Sequence, residues 1–66
     1  MEITLNGEKT SFDVPVTVAA LVEKLGLDRR KIAVEVNLEI VPKSSYEEKK
    51  IAEGDNVEIV HFIAGG

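Results

Sequence analysis

Ile3 and Leu5 alternate with Glu2 and Thr4, the period-two pattern of a strand that buries one face. Asn6-Gly7 follows, the pair of residue types most tolerant of positive φ, and predicts a tight hairpin turn. The return strand runs through Thr10, Phe12 and Val14, with Lys9, Ser11 and Asp13 facing out, until Pro15 limits further ladder pairing. The chain therefore opens with a β-hairpin.

The period then changes. Val18, Leu21, Val22 and Leu25 fall at i, i+3, i+4 and i+7, one apolar stripe along a helix of about two to three turns. Thr17 stands where an N-cap belongs, Gly26 closes the helix as a C′ glycine, and Leu27 is placed to fold back on the last turn. A stripe of this spacing is a core face, and the helix is expected to lie across the buried face of the hairpin.

Asp28-Arg29-Arg30-Lys31 reads as a solvated, charged connector. Ile32, Val34 and Val36 alternate with Ala33 and Glu35 as a third strand that Asn37 can end in a turn conformation. Ile40-Val41 is a short strand stopped by Pro42, suited to a sheet edge. Two overlapping capping-box spacings, Ser44 with Glu47 and Ser45 with Glu48, predict a single helical turn, and Tyr46 is expected to plug the space beneath it. Glu53-Gly54-Asp55 is a turn, and the last strand starts at Val57. There the pattern is apolar on both faces, with Val57 and Ile59 on one side and Val60 and Phe62 on the other. Such a strand is either covered twice or leaves an apolar patch for a partner, and with one substantial helix available the patch is expected.

Strand, strand, helix, strand, short strand, strand packs one mixed sheet of about five strands on one main helix. The helical crossover makes the first and last strands parallel neighbours in the middle of the sheet. This is an α+β chain of the β-grasp class, with residues 1–62 as the domain and 63–66 as a flexible tail.

At 66 residues there is one domain with one small core, and at 44% apolar and 30% charged the chain folds rather than stays disordered. The net charge of −4, with no basic run longer than Arg29-Arg30-Lys31, argues against nucleic-acid and anionic-membrane partners. With no cysteine, there are no disulfides, thiolate metal sites or thiol nucleophiles. The start, Met1-Glu2-Ile3, lacks a secretory pattern, and the expected location is cytoplasmic. His61 is the single histidine, with no second base or metal-ligand set beside it, so catalysis by this chain is not expected. The tail stops on Gly65-Gly66, which can take almost any backbone angle, thread a narrow channel and present an unhindered α-carboxylate to another enzyme. A frayed chain end is the alternative.

A β-grasp order ending on Gly65-Gly66, together with residues 33–43 (AVEVNLEIVPK) and 54–66 (GDNVEIVHFIAGG), resembles the ubiquitin-like sulfur carriers, the ThiS family of thiamine biosynthesis in particular. The resemblance covers the whole chain. The family often has Gly or Gln where Leu38 stands, Arg where Lys43 stands and Trp where Tyr46 stands. Tyr keeps an aromatic plug and Lys keeps the charge.

The resemblance implies a cycle at the C-terminus. A ThiF-like adenylyltransferase would use ATP and Mg²⁺ to convert the Gly66 carboxylate to an acyl-adenylate. A sulfur donor such as a cysteine desulfurase would supply the sulfur that replaces AMP, leaving 1-thioglycine at Gly66, and this thiocarboxylate would deliver sulfur to thiazole synthase (ThiG). Gly66 would carry the sulfur, Gly65 would let the extended tail through the partner's channel, and Ile63 and Ala64 would set its depth. Val60 and Phe62, with Glu58 nearby, would form the docking surface. The chain itself would bind no cofactor or metal. Two other readings remain: a MoaD-like sulfur carrier of molybdopterin synthase, or a ubiquitin-like binding module with merely flexible glycines.

Overall fold

The computed structural model describes residues 1–13 and 16–62. The readings on Val14 and Pro15, and those on Ile63, Ala64, Gly65 and Gly66 as a flexible, sulfur-bearing tail, lie outside the described residues.

The first hairpin forms as the alternation requires, from β1 (Glu2–Leu5) and β2 (Glu8–Ser11). Asn6 at φ 50° and Gly7 at φ 83° make the two-residue reversal between the paired Leu5 and Glu8. Past the hairpin, β3 (Val16–Thr17) is a two-residue strand, followed directly by α1 (Val18–Lys24). Both helix ends close through local chemistry. At the start, the Ala20 amide donates to Thr17 Oγ1 at 3.1 Å, while the Val18 and Ala19 amides donate to the Lys49 and Tyr46 carbonyls at 2.9 and 2.8 Å. At the end, the Leu27 amide reaches back to the Val22 carbonyl at 3.1 Å and the Gly26 amide to Glu23 at 3.0 Å. This Schellman closure needs the positive φ of 71° that Gly26 supplies.

The charged connector is ordered: Arg29–Lys31 forms a 3-10 turn whose N-cap is Asp28. From it β4 (Ile32–Val36) runs to the Asn37-Leu38 reversal and returns as the short β5 (Glu39–Ile40). The expected helical turn is found, as a 3-10 turn over Lys43–Ser45, but neither serine hydroxyl caps it. Pro42 stands at its N-cap, and the Ser45 carbonyl, not its hydroxyl, accepts the following amides of Glu48 and Lys49. The chain continues through β6 (Lys50–Ile51) into β7 (Asn56–His61).

The main sheet has the order β2-β1-β7-β4-β5, with β1 and β7 parallel and the other pairs antiparallel. The expected central, parallel placement of the first and last strands is therefore present. A separate two-stranded ladder, β3 with β6, was not foreseen. The β-grasp arrangement puts Ile3, Ile32, Val34, Val36, Val57 and Ile59 under Val18, Leu21 and Val22 of the helix, all buried. Side chains of this size each contribute about 1.5–3 kcal/mol when fully buried.

Two core-boundary details have energetic consequences. Leu38 sits at φ 71° with its side chain 79% exposed, so a bulky residue holds a left-handed conformation without packing in return. Tyr46 does plug the space under its loop, fully buried, but its hydroxyl has no hydrogen-bond partner among the described residues. Burial pushes its phenol above the ordinary range. Leu38→Gly is expected to raise stability by about 0.5–1 kcal/mol in chemical denaturation, since the strain relieved exceeds the entropy lost with glycine. Tyr46→Phe is expected to leave stability unchanged or raise it by up to about 1 kcal/mol, because it removes an unpaired buried polar atom at constant packing; a loss beyond 1 kcal/mol would reveal a partner for the hydroxyl.

Candidate docking face and tail root

Strand β7 has the helix on one face only. Val57 and Ile59 point into the core, while Glu58, Val60 and the following Phe62 are exposed, Val60 at 53% and Phe62 at 51%. The sequence-predicted trio thus lies together at the uncovered side and end of the central strand. Register adds residues that the linear pattern could not assign to this face. Val60 is directly opposite Ala33 and Glu58 directly opposite Glu35, while Glu35 is in turn opposite Ile40 of β5. Directly opposed residues share a face. The outer surface therefore holds an apolar end at Val60, Ala33 and Phe62, then a pair of carboxylates at Glu58 and Glu35, then exposed Ile40. Periodicity placed Ala33 and Glu35 away from the core, but only the pairing of β4 with β7 brings them beside Val60 and Glu58.

Two further contacts fix β7 at its ends. On the β1 side, the ladder passes from backbone to side chain, with the Ile59 amide donating to Asn6 Oδ1 at 2.8 Å. At the tail end, the Phe62 amide donates to the Lys31 carbonyl at 2.7 Å, and the Lys43 ammonium lies 5.5 Å from the centre of the Phe62 ring. Lys43 also donates to the Ile32 carbonyl at 2.8 Å.

The segment leading into β4 carries three consecutive cations, two of them paired with carboxylates. The Arg30 guanidinium holds Asp28 through bonds of 2.9 and 3.0 Å and, with its backbone amide, lowers the Asp28 carboxyl from 3.8 to about 2. Arg29 pairs with Glu47 at 2.7 Å, holding that carboxyl below its ordinary value, and lies over the Tyr46 ring. Lys31 and Lys43 make no ion pair among the described residues. His61, the last residue of β7, is exposed. Among the described residues no three His, Asp or Glu side chains gather as a metal site, and no helix is long and apolar enough to cross a membrane.

This face and fold can be set beside known proteins. A model of the ThiS family matches residues 2–66. The thiazole synthase of Paramagnetospirillum magneticum is 54% identical over 66 residues, 100% of this chain and 20% of that protein. This chain thus spans about a fifth of that relative. The sulfur carrier protein ThiS of Bacillus subtilis is 34% identical over 65 residues, 97% of this chain and 98% of that one. The crystal structure of the thiamine biosynthesis protein ThiS from Geobacter metallireducens matches with a TM-score of 0.87 at 28% identity, covering 100% of both chains.

Like charges set directly opposite each other in a sheet repel. Glu35→Gln is expected to stabilise the protein by a few tenths of a kcal/mol at low salt, an increment that shrinks in concentrated salt. Urea denaturation at both ionic strengths measures it, and equal stabilisation at both would assign the gain to something other than the Glu58 charge.

Proposed function

This chain belongs to the ThiS family, and on that premise we propose that it is a sulfur carrier of thiamine biosynthesis, working in the cytoplasm as a protein co-substrate rather than as an enzyme. The observation that carries the reading is the family match over residues 2–66, which includes the terminal Gly65-Gly66. The relative from Bacillus subtilis, similar along nearly its whole length, bears the name of a sulfur carrier.

The chemistry follows from what a carboxylate lacks. Its carbon is a poor electrophile until one oxygen becomes part of a good leaving group. A ThiF-like adenylyltransferase supplies that group: a Gly66 carboxylate oxygen attacks the α-phosphorus of Mg²⁺-bound ATP, and pyrophosphate departs. The terminal sulfur of a persulfide on a donor such as a cysteine desulfurase then attacks the acyl carbon and expels AMP, and a thiol reductant cleaves the S–S bond of the resulting acyl disulfide with two electrons; free sulfide makes the same substitution with no redox step. The product is the 1-thioglycine thiocarboxylate. Having no cysteine, the chain has no thiol on which to hold persulfide sulfur, and the thiocarboxylate serves instead. Gly65 and Gly66 bring no side chain to the reacting carbon, and Ile63 and Ala64 set how deeply the tail enters the partner.

Thiazole synthase (ThiG) is the acceptor in this reading. Similarity over 100% of this chain to part of a protein named thiazole synthase supports the pairing. The docking surface is the uncovered face of β7, with Val60 and Phe62 as apolar anchors. Glu58 and its neighbour Glu35 favour a basic rim on the partner.

Intact-mass spectrometry tests the proposal. The 66-residue chain, incubated with ATP, Mg²⁺, a ThiF-like adenylyltransferase and sulfide, is expected to gain about sixteen mass units as sulfur replaces oxygen. Without sulfide an AMP adduct is expected, and neither species forms once Gly66 is deleted. An unchanged mass beside an adenylyltransferase proven active on another carrier overturns the ThiF-like assignment. Co-purification of a molybdopterin synthase subunit in place of thiazole synthase would move the chain to the MoaD-like reading.

A further inference from the structure

The pairing of β4 with the returning chain follows one register: Val36 is opposite Glu39, and the Val34 carbonyl accepts the Val41 amide at 2.9 Å. The next step of the same register pairs Ile32 with position 43. By then the backbone has left the sheet, because Pro42 begins the 3-10 turn over Lys43–Ser45 and carries the Lys43 amide away from β4. The Ile32 carbonyl is nevertheless satisfied. Lys43 Nζ reaches back and donates to it at 2.8 Å, a side chain taking the place of the missing backbone amide. From that anchored position the ammonium also lies 5.5 Å from the centre of the Phe62 ring. Phe62 is held from the other side by its amide bond to Lys31.

We infer that Lys43 is a positioning residue for the chemistry at the chain's end, acting through Phe62 to fix the point from which the last four residues depart. Three segments distant in sequence meet at this ammonium: the turn after β5, the first residue of β4 and the residue after β7. Its three donors suit the arrangement, since one satisfies the carbonyl while the charge faces the aromatic ring. An unanchored lysine on a long flexible stem would lose rotamer freedom to reach the ring. Here the carbonyl bond already holds it.

The functional part rests on the proposed adenylation of Gly66. A partner that must admit a narrow tail meets fewer conformers when the root is fixed, so losing the clamp raises the concentration of carrier needed and leaves the chemical step alone. Lys43→Met keeps the apolar stem and removes the charge and donors. With the adenylyltransferase and ATP, it is expected to raise KM for the carrier about two- to fivefold, the size of an exposed cation–π contact, with kcat unchanged. Lys43→Arg restores KM, since a guanidinium can donate to the carbonyl and cover the ring.

A readout in the free protein stands apart from any activity. Ring current from Phe62 is expected to shift the Lys43 ε-methylene protons upfield in the NMR spectrum, and Phe62→Leu abolishes that shift. An unshifted ε-methylene in the folded wild-type chain overturns the clamp whether or not adenylation occurs. With the shift present and the wild type adenylated, an unchanged KM in Lys43→Met, or an equal rise in Lys43→Arg, overturns the positioning role. Wild type that is never adenylated overturns the proposed function and leaves the NMR outcome to decide the clamp.

Discussion

A seven-residue helix carries one apolar stripe, and a five-stranded sheet has two faces. The helix covers one of them, where Ile3 of β1, Val57 and Ile59 of β7, and Ile32, Val34 and Val36 of β4 are buried. Among the described residues nothing covers the other. That asymmetry forces the sequence of β7 to satisfy two environments: Val57 and Ile59 are buried, and Val60 is left half exposed on the opposite side. The same strand is central, with β1 parallel on one flank and β4 antiparallel on the other, so its exposed residues rest on a backbone fixed from both sides. A surface that must be recognised as a shape gains from such support.

Side chains extend this sheet wherever the backbone ladder stops short. Asn6 leaves the β1 hairpin at a positive φ, yet its carboxamide accepts the Ile59 amide beyond the reach of β1. Asn37 also has a positive φ, and its side chain ties the Asp55-Asn56 entry to β7 by bonds of 3.1 and 2.9 Å. Lys43 does the corresponding service for β4. In a chain of 66 residues these substitutions let short strands behave as though they were longer.

The parts of the fold that were legible in the sequence are those whose signal is local. Asn6-Gly7 between two alternating runs, and Thr17 and Gly26 bracketing a helical stripe, each state their structure within a few residues. The β3 and β6 pair was not legible, because two-residue strands are too short to show a period. The serines before Glu47 and Glu48 suggested a capping box, but Pro42, with its ring fixed at φ −61°, caps the turn two residues before Ser44 and leaves the hydroxyls without that task. Asp28 did carry a readable cap signal, hidden by the run of charge behind it. Of the exposed face of β7, Glu58, Val60 and Phe62 were visible because a strand apolar on both sides is unusual. Glu35, Ala33 and Ile40 needed the register, and Lys43 needed knowledge of where β5 leaves the sheet.

The start of α1 puts its amides to an unusual use. Helix N-termini are natural cradles for phosphate, because their first amides point outward without partners. Here the Val18 and Ala19 amides are occupied by the carbonyls of Lys49 and Tyr46, and the Ala20 amide by the Thr17 hydroxyl. The positive end of the macrodipole is spent in holding the loop that carries Tyr46. The start of α1 is thereby a structural joint: the amides that could have faced an anion instead tie the helix to the segment that precedes β6.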